Sequence, residues 1–209
     1  MATTTVQRGG TAGLVGGALW ALLPVAFMVH LDETARGTLA FVAVAVAAWV
    51  VGALSLVLLL VGISRLRAGL ADGGGRLAAV GVVFSGLGLL AMVLGNGTEL
   101  ATLTFNGAES DLGHSAFLIG FLVLVVGSLL LGVALLRGRR EPRVRWAGAL
   151  MVGMVPLGIG LGVLLNVVAP HTDLGFWAAI TVPYGVAWVL LGRSLSASGR
   201  TRATEFAAV

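Results

Sequence analysis

The sequence predicts an all-α fold, a polytopic membrane bundle of six transmembrane helices, and three observations predict it. Of the 209 residues, 58% are hydrophobic and only 11% are charged, a balance unsuited to a water-exposed surface. Six stretches are apolar over about 20 residues, the length at which a helix rising about 1.5 Å per residue crosses a hydrocarbon layer about 30 Å thick. None of the six contains Asp, Glu, Lys, Arg or His, any of which costs about 2.5–3.5 kcal/mol at the centre of an inserted helix.

The first span, 11–29, follows Arg8 and is too long for the apolar region of a typical signal peptide. His30-Leu31-Asp32-Glu33-Thr34 after it offers no small-x-small cleavage site, so the span is expected to be retained. The second, 39–63, opens after Ala35-Arg36-Gly37 and leads into a linker containing Asp72-Gly73-Gly74-Gly75. That linker reads as a hinge, because it lacks the Lys-Ser/Thr ending of a phosphate loop. The third, 77–97, leads into the longest outer segment, 98–113, where Leu103 and Phe105 are compatible with a lid or an interfacial stretch. Asn96-Gly97-Thr98 fits a glycosylation sequon but lies too close to the membrane to be used. The fourth span, 115–136, and the fifth, 146–169, flank the densest arginine run of the chain. The sixth, 174–192, is as short as the first and carries Pro183, so it is expected to be kinked or partly buried. Residues 1–209 form a single domain, with 193–209 expected as a flexible tail.

Arginine placement predicts orientation. Arg8, Arg65, Arg67, Arg76, Arg137, Arg139, Arg140, Arg143, Arg145, Arg193, Arg200 and Arg202 lie in the tails or in loops after even-numbered spans, against Arg36 alone on the other side. The positive-inside rule therefore places both termini in the cytoplasm of a plasma or inner membrane. The run Arg137–Arg145 reads chiefly as a topological anchor, with docking of a lipid or cytoplasmic partner as the lesser reading. The excess of arginine does not indicate nucleic acid, since these residues sit in short loops beside apolar spans. Cysteine is absent, which removes thiolate chemistry and disulfides.

Odd spans open alike, with Arg8 then Gly13, Arg76 then Gly81, and Arg143 then Gly148, which suggests three repeated helical hairpins. The alternative is coincidence among 32 glycines. A three-hairpin layout invites comparison with mitochondrial carriers, but their proline–acidic–basic signature is missing. Small residues four apart, Gly13 with Gly17, Gly81 with Ser85, Ser128 with Gly132 and Gly158 with Gly162, are expected to cement the bundle. Contact with a second copy or another membrane protein is the lesser reading.

Within the spans the polar groups are few: Ser55, Ser85, Ser128, Thr181, Tyr184, Asn96 and Asn166. Without ionisable groups at membrane depth, an ion-coupled mechanism is disfavoured. Prolines in three spans, Pro24, Pro156 and Pro183, free backbone carbonyls that can line a cavity. Asn96, Glu99, Asn166, His114 and His171 are the candidate ligand-binding residues of an outer vestibule. Glu99 and Asn166 each stand 23 residues after the arginine that opens their hairpin, Arg76 and Arg143. His30, His114 and His171 all map to the outer rim and are weak metal candidates, because no metal-binding spacing joins them. Catalytic residues, a cofactor and a firm metal site are not predicted. Asp111 and Asp173 read as caps of the helices they precede.

In span number, arginine-marked loops and Gly/Ala/Val/Leu texture, the whole chain resembles small six-helix integral membrane proteins of actinobacteria. The likeness is compositional; it implies the fold and transfers no active residue. Three functions compete: a binding or transport module for a small neutral or lipid-like molecule, an accessory subunit of a larger membrane complex, and a membrane enzyme using the outer His and carboxylate groups. The first is favoured.

Overall fold

A computed structural model describes residues 2–30, 39–70, 75–106, 110–137, 141–168 and 174–207. They form six helices, α1 (Ala2–His30), α2 (Leu39–Leu70), α3 (Gly75–Asn106), α4 (Asp111–Arg137), α5 (Pro142–Val168) and α6 (Leu174–Ala207). No strand occurs among the described residues. Helices α2 to α6 are long and apolar enough to cross a membrane, and α1 packs alongside α6 and α2 in the same bundle. The protein is a multi-pass membrane protein.

The helices overrun the predicted spans. Residues 98–106, expected to begin a lid or interfacial loop, instead extend α3, and α4 starts at Asp111. The hydroxyls of Thr98, Thr102 and Thr104 donate to the carbonyls of Leu94, Thr98 and Leu100 at 2.9, 2.9 and 2.6 Å. Polar side chains bonded back to their own helix need not leave it to find partners. Helix α6 likewise continues through Ala207, past the expected end of the span at 192. All three span prolines, Pro24, Pro156 and Pro183, lie inside continuous helices.

Packing is cyclic. Each helix contacts its neighbours in sequence, and α6 closes the ring on α1. The α1·α6 and α3·α4 seams are the most extensive, whereas α2·α3 and α4·α5 are the least. Three hairpins repeated by rotation would make α6·α1 equivalent to α2·α3 and α4·α5, so in packing the hairpins differ. Their marker glycines differ too: Gly81 meets Leu131 of its own hairpin, while Gly148 meets Gly132 of the preceding one.

Glycine spacing explains the two extensive seams. In α3, Gly81, Gly88 and Gly95 recur every seven residues, and in antiparallel α4 they meet Gly127, Gly120 and Gly113. A methyl group on Gly88 would lie 2.5 Å from Leu124 N and 2.7 Å from Gly120 O, so only the bare backbone fits. Gly10 and Gly17 of α1 meet Gly192 and Gly185 of α6 in the same seven-residue rhythm. A seven-residue repeat keeps one face on the seam of left-handed helix pairs. In lipid, such close approach supplies the packing that hydrophobic burial supplies in water. The expected stripes Gly13/Gly17, Gly81/Ser85, Ser128/Gly132 and Gly158/Gly162 thus include glycines that pack within the chain, Gly158 and Gly162 against Ala179 and Gly175 of α6.

Large side chains fill the centre, with Trp20, Tyr184, Trp188, Leu59, Met92 and Leu124 fully buried. Leu22, Leu94, Leu122, Ile159, Val163 and Val167 are each more than 60% exposed, the apolar exterior expected where the solvent is hydrocarbon. Helix α6 is the deepest of the five recognised spans, with 61% of its apolar window buried against 28% for peripheral α5, in line with the expectation of partial burial.

Candidate functional site

Arg8, Arg65, Arg76, Arg137, Arg143, Arg145 and Arg193 are all exposed and gather at one end of the bundle. Asn96 and Glu99 lie near the other end, called here the acidic end. The α3·α4 glycine seam fixes them there. Gly95 abuts Gly113 and Phe117, which turns the next residue, Asn96, toward α2, where its Nδ2 donates to Trp49 O at 3.3 Å. One turn further, Glu99 packs its side chain over Gly113.

Glu99 is only 5% exposed. Its Oε2 accepts a hydrogen bond from Ser110 N at 3.0 Å, and its Oε1 lies 3.8 Å from His114 Nδ1. The His114 side chain is 68% exposed. Ser110 in turn caps α4, its Oγ accepting from Gly113 N at 3.1 Å. In a capping box, a Glu three residues into the helix takes the N–H of the capping residue; here Glu99 of the preceding helix takes it. Asp111, expected to cap α4, occupies its first turn, where its charge still complements the helix dipole, but the hydrogen-bonding cap is Ser110. Asp173 lies outside the described residues.

Beneath Asn96 is a crevice walled by Trp20, Trp49, Phe117 and Trp177, with room for about one water molecule, about 10 Å³. Phe117 and Trp177 meet edge to face, with ring centroids 6.4 Å apart. Trp20 is 1% exposed, and its indole N–H has no hydrogen-bond partner. A buried tryptophan usually pairs that group, and leaving such a donor unmet is costly. Four aromatic walls and a buried amide, contributed by five of the six helices, thus line the crevice, and one of those walls, Trp20, carries the unmet donor.

Deeper polar groups behave in two ways. Ser55 donates to Gly52 O at 2.7 Å and Thr181 to Trp177 O at 2.9 Å, both within their own helices. Ser85 and Ser128 are fully buried without a hydrogen-bond partner. The Tyr184 hydroxyl is close to Ser128 and Trp188 but outside hydrogen-bonding geometry.

Of the predicted vestibule residues, the structure brings Glu99 and His114 together on the α3–α4 hairpin, while Asn96, one turn before Glu99, reaches across to α2. Asn166 is exposed at the far end of α5, its Oδ1 against Gly175 of α6. Helices α3 and α5 are not neighbours in the ring. His171 and the side chain of His30 lie outside the described residues. Among the described residues, no three His, Asp or Glu side chains form a group able to hold a metal ion.

Sequence reasoning missed the aromatic walls, although a signal existed. Membrane tryptophans favour the interfaces, and Trp20 and Trp49 fall well inside apolar spans. No family model, no curated protein and no solved structure matches the chain.

Proposed function

We propose that the protein is a binding module for a small neutral or lipid-like molecule, embedded in a plasma or inner membrane with both termini cytoplasmic. Orientation follows from the arginines gathered at one end of the bundle, which the positive-inside rule assigns to the cytoplasm. The acidic end, with Asn96 and Glu99, then faces outward.

The observation that carries the reading is the aromatic crevice with its unmet Trp20 N–H. Binding sites for small molecules combine mostly apolar walls with a few placed polar groups, and this crevice has that composition within an otherwise closely packed bundle. At about 10 Å³ it admits a hydroxyl or a water; a larger ligand enters by parting α2 from α3, one of the two least extensive seams. A hydroxyl or carbonyl on the ligand would accept from Trp20 and leave its apolar body among the rings.

The test is native mass spectrometry of protein extracted in mild detergent, comparing wild type with Trp20→Phe and Asn96→Leu. A non-protein adduct is expected on wild type and reduced in both variants, while helicity by circular dichroism is retained. An adduct unchanged in both variants, or none from native membranes, overturns the reading.

A further inference from the structure

At the arginine-rich end, α4 and α5 part to leave a groove of about 340 Å³, lined by Leu136, Pro142, Arg145, Trp146 and Ala149. It is larger by far than the crevice at the other end and lies within the range of pockets that hold small organic ligands. Its walls are divided by chemistry. Leu136, Ala149 and the Trp146 ring present hydrocarbon; Arg145 presents a guanidinium that makes no ion pair among the described residues.

Depth matters as much as lining. Leu136 is the last residue of the fourth predicted span and Trp146 the first of the fifth, so the groove straddles the boundary between hydrocarbon and headgroups on both helices. Trp146 is 67% exposed there, at the depth where indole rings favour membrane interfaces. Arg137 and Arg143 flank the groove in sequence and are exposed. Glu141 Oε2 accepts a hydrogen bond from the Ser194 hydroxyl of α6 at 2.5 Å, which ties the head of α5 to α6; one carboxylate against Arg137, Arg143 and Arg145 leaves the groove side net cationic.

From this we infer that the α4–α5 groove binds an anionic phospholipid, with the lipid phosphate on Arg145 and the upper acyl chain along Leu136, Trp146 and Ala149. A guanidinium pairs two N–H donors with phosphate oxygens, and a cationic pocket beside an interfacial ring matches the amphipathic junction of a lipid. The negative charge distinguishes the occupant from a zwitterionic lipid, whose ammonium would meet an arginine cluster of net positive charge. This inference does not depend on the crevice or its ligand.

The experiment is native mass spectrometry and thermal unfolding of the full chain after adding dioleoyl-phosphatidylglycerol, dioleoyl-phosphatidylcholine or glycerol 3-phosphate. Wild type is expected to retain phosphatidylglycerol preferentially and to gain thermal stability from it. Arg145→Gln should weaken that retention about fivefold, corresponding to about 1 kcal/mol per basic residue at an anionic surface, and Trp146→Ala should weaken it as well. Arg65→Gln, which removes an equal charge from the same end, should have no comparable effect. Equal retention of the two lipids, equal loss in Arg65→Gln and Arg145→Gln, or equal stabilisation by glycerol 3-phosphate would overturn the assignment, the last by showing that the headgroup alone is recognised. Unchanged helicity in the variants separates lost binding from lost folding.

Discussion

The α3·α4 and α2·α3 seams use the same helix and reach opposite results. On one face of α3, three glycines seven residues apart meet three on α4, and the backbones touch. On the other, Asn96 reaches Trp49 O across to α2, and the aromatic crevice opens beside it. The second space, the groove between α4 and α5, also lies on a seam of least extent. Where three glycine pairs follow one another in register the seam is sealed; where α4 and α5 share the single pair Gly132 and Gly148, or where Asn96 bridges α3 to α2, there is room for another molecule.

The sharpest way to break that contrast is to put methyl groups into a sealed seam. Gly88→Ala should destabilise the protein by about 1–3 kcal/mol, the range for overpacking, because backbone atoms of Leu124 and Gly120 occupy the space. Gly185→Ala, 2.5 Å from Gly17 O, should cost a similar amount in the α1·α6 seam. Both are measurable as shifts in the unfolding midpoint in mixed micelles, and near-neutral values would show that the seams can yield.

Glu99→Ala should have the next largest effect, about 1 kcal/mol, from a partly buried N–H on Ser110 left without its acceptor. Glu99→Gln, which keeps an acceptor oxygen, should recover most of the loss; failure to do so would mean that the charge rather than the hydrogen bond secures the α3–α4 turn. A smaller cost, about 0.6 kcal/mol, is expected for Asn96→Leu, the average for an interhelical hydrogen bond in a membrane. Its adduct loss should be out of proportion to that cost. Least affected should be Gly160→Ala: nothing lies within 4 Å of a methyl group there, and a change beyond about 0.5 kcal/mol would mean that this face of α5 contacts more than lipid.

The number of helices and their approximate positions were legible because length and apolarity report directly on the cost of crossing a bilayer. Helix ends were less so. Residues 98–106 are polar enough to resemble a loop, yet they are helical and their threonine hydroxyls bond inward along the same helix. The seven-residue glycine rhythm was present in the sequence, but 81-88-95 acquires meaning only once 113-120-127 is known to face it. The same limit applied to the site. Glu99 and Asn166 occupy matching positions in the hairpin pattern, yet one is buried under the α4 cap and the other is exposed beside Gly175, because α3 and α5 have different neighbours. Chemistry could be read from residue type; convergence required knowing which helices are adjacent.

Closure of the ring by α1 and α6 bears on how the molecule is assembled. Gly10 and Gly17 lie on α1, and their partners Gly192 and Gly185 lie on α6, which is synthesised after the other five helices. The circle is therefore completed late, and ribosome-bound chains stopped before α6 would present an unmatched groove on α1. Since α1 begins and α6 finishes at the same end of the bundle, a circular permutant that joins them and opens the chain at 71–74 would retain every helix pair while changing the order in which the pairs form.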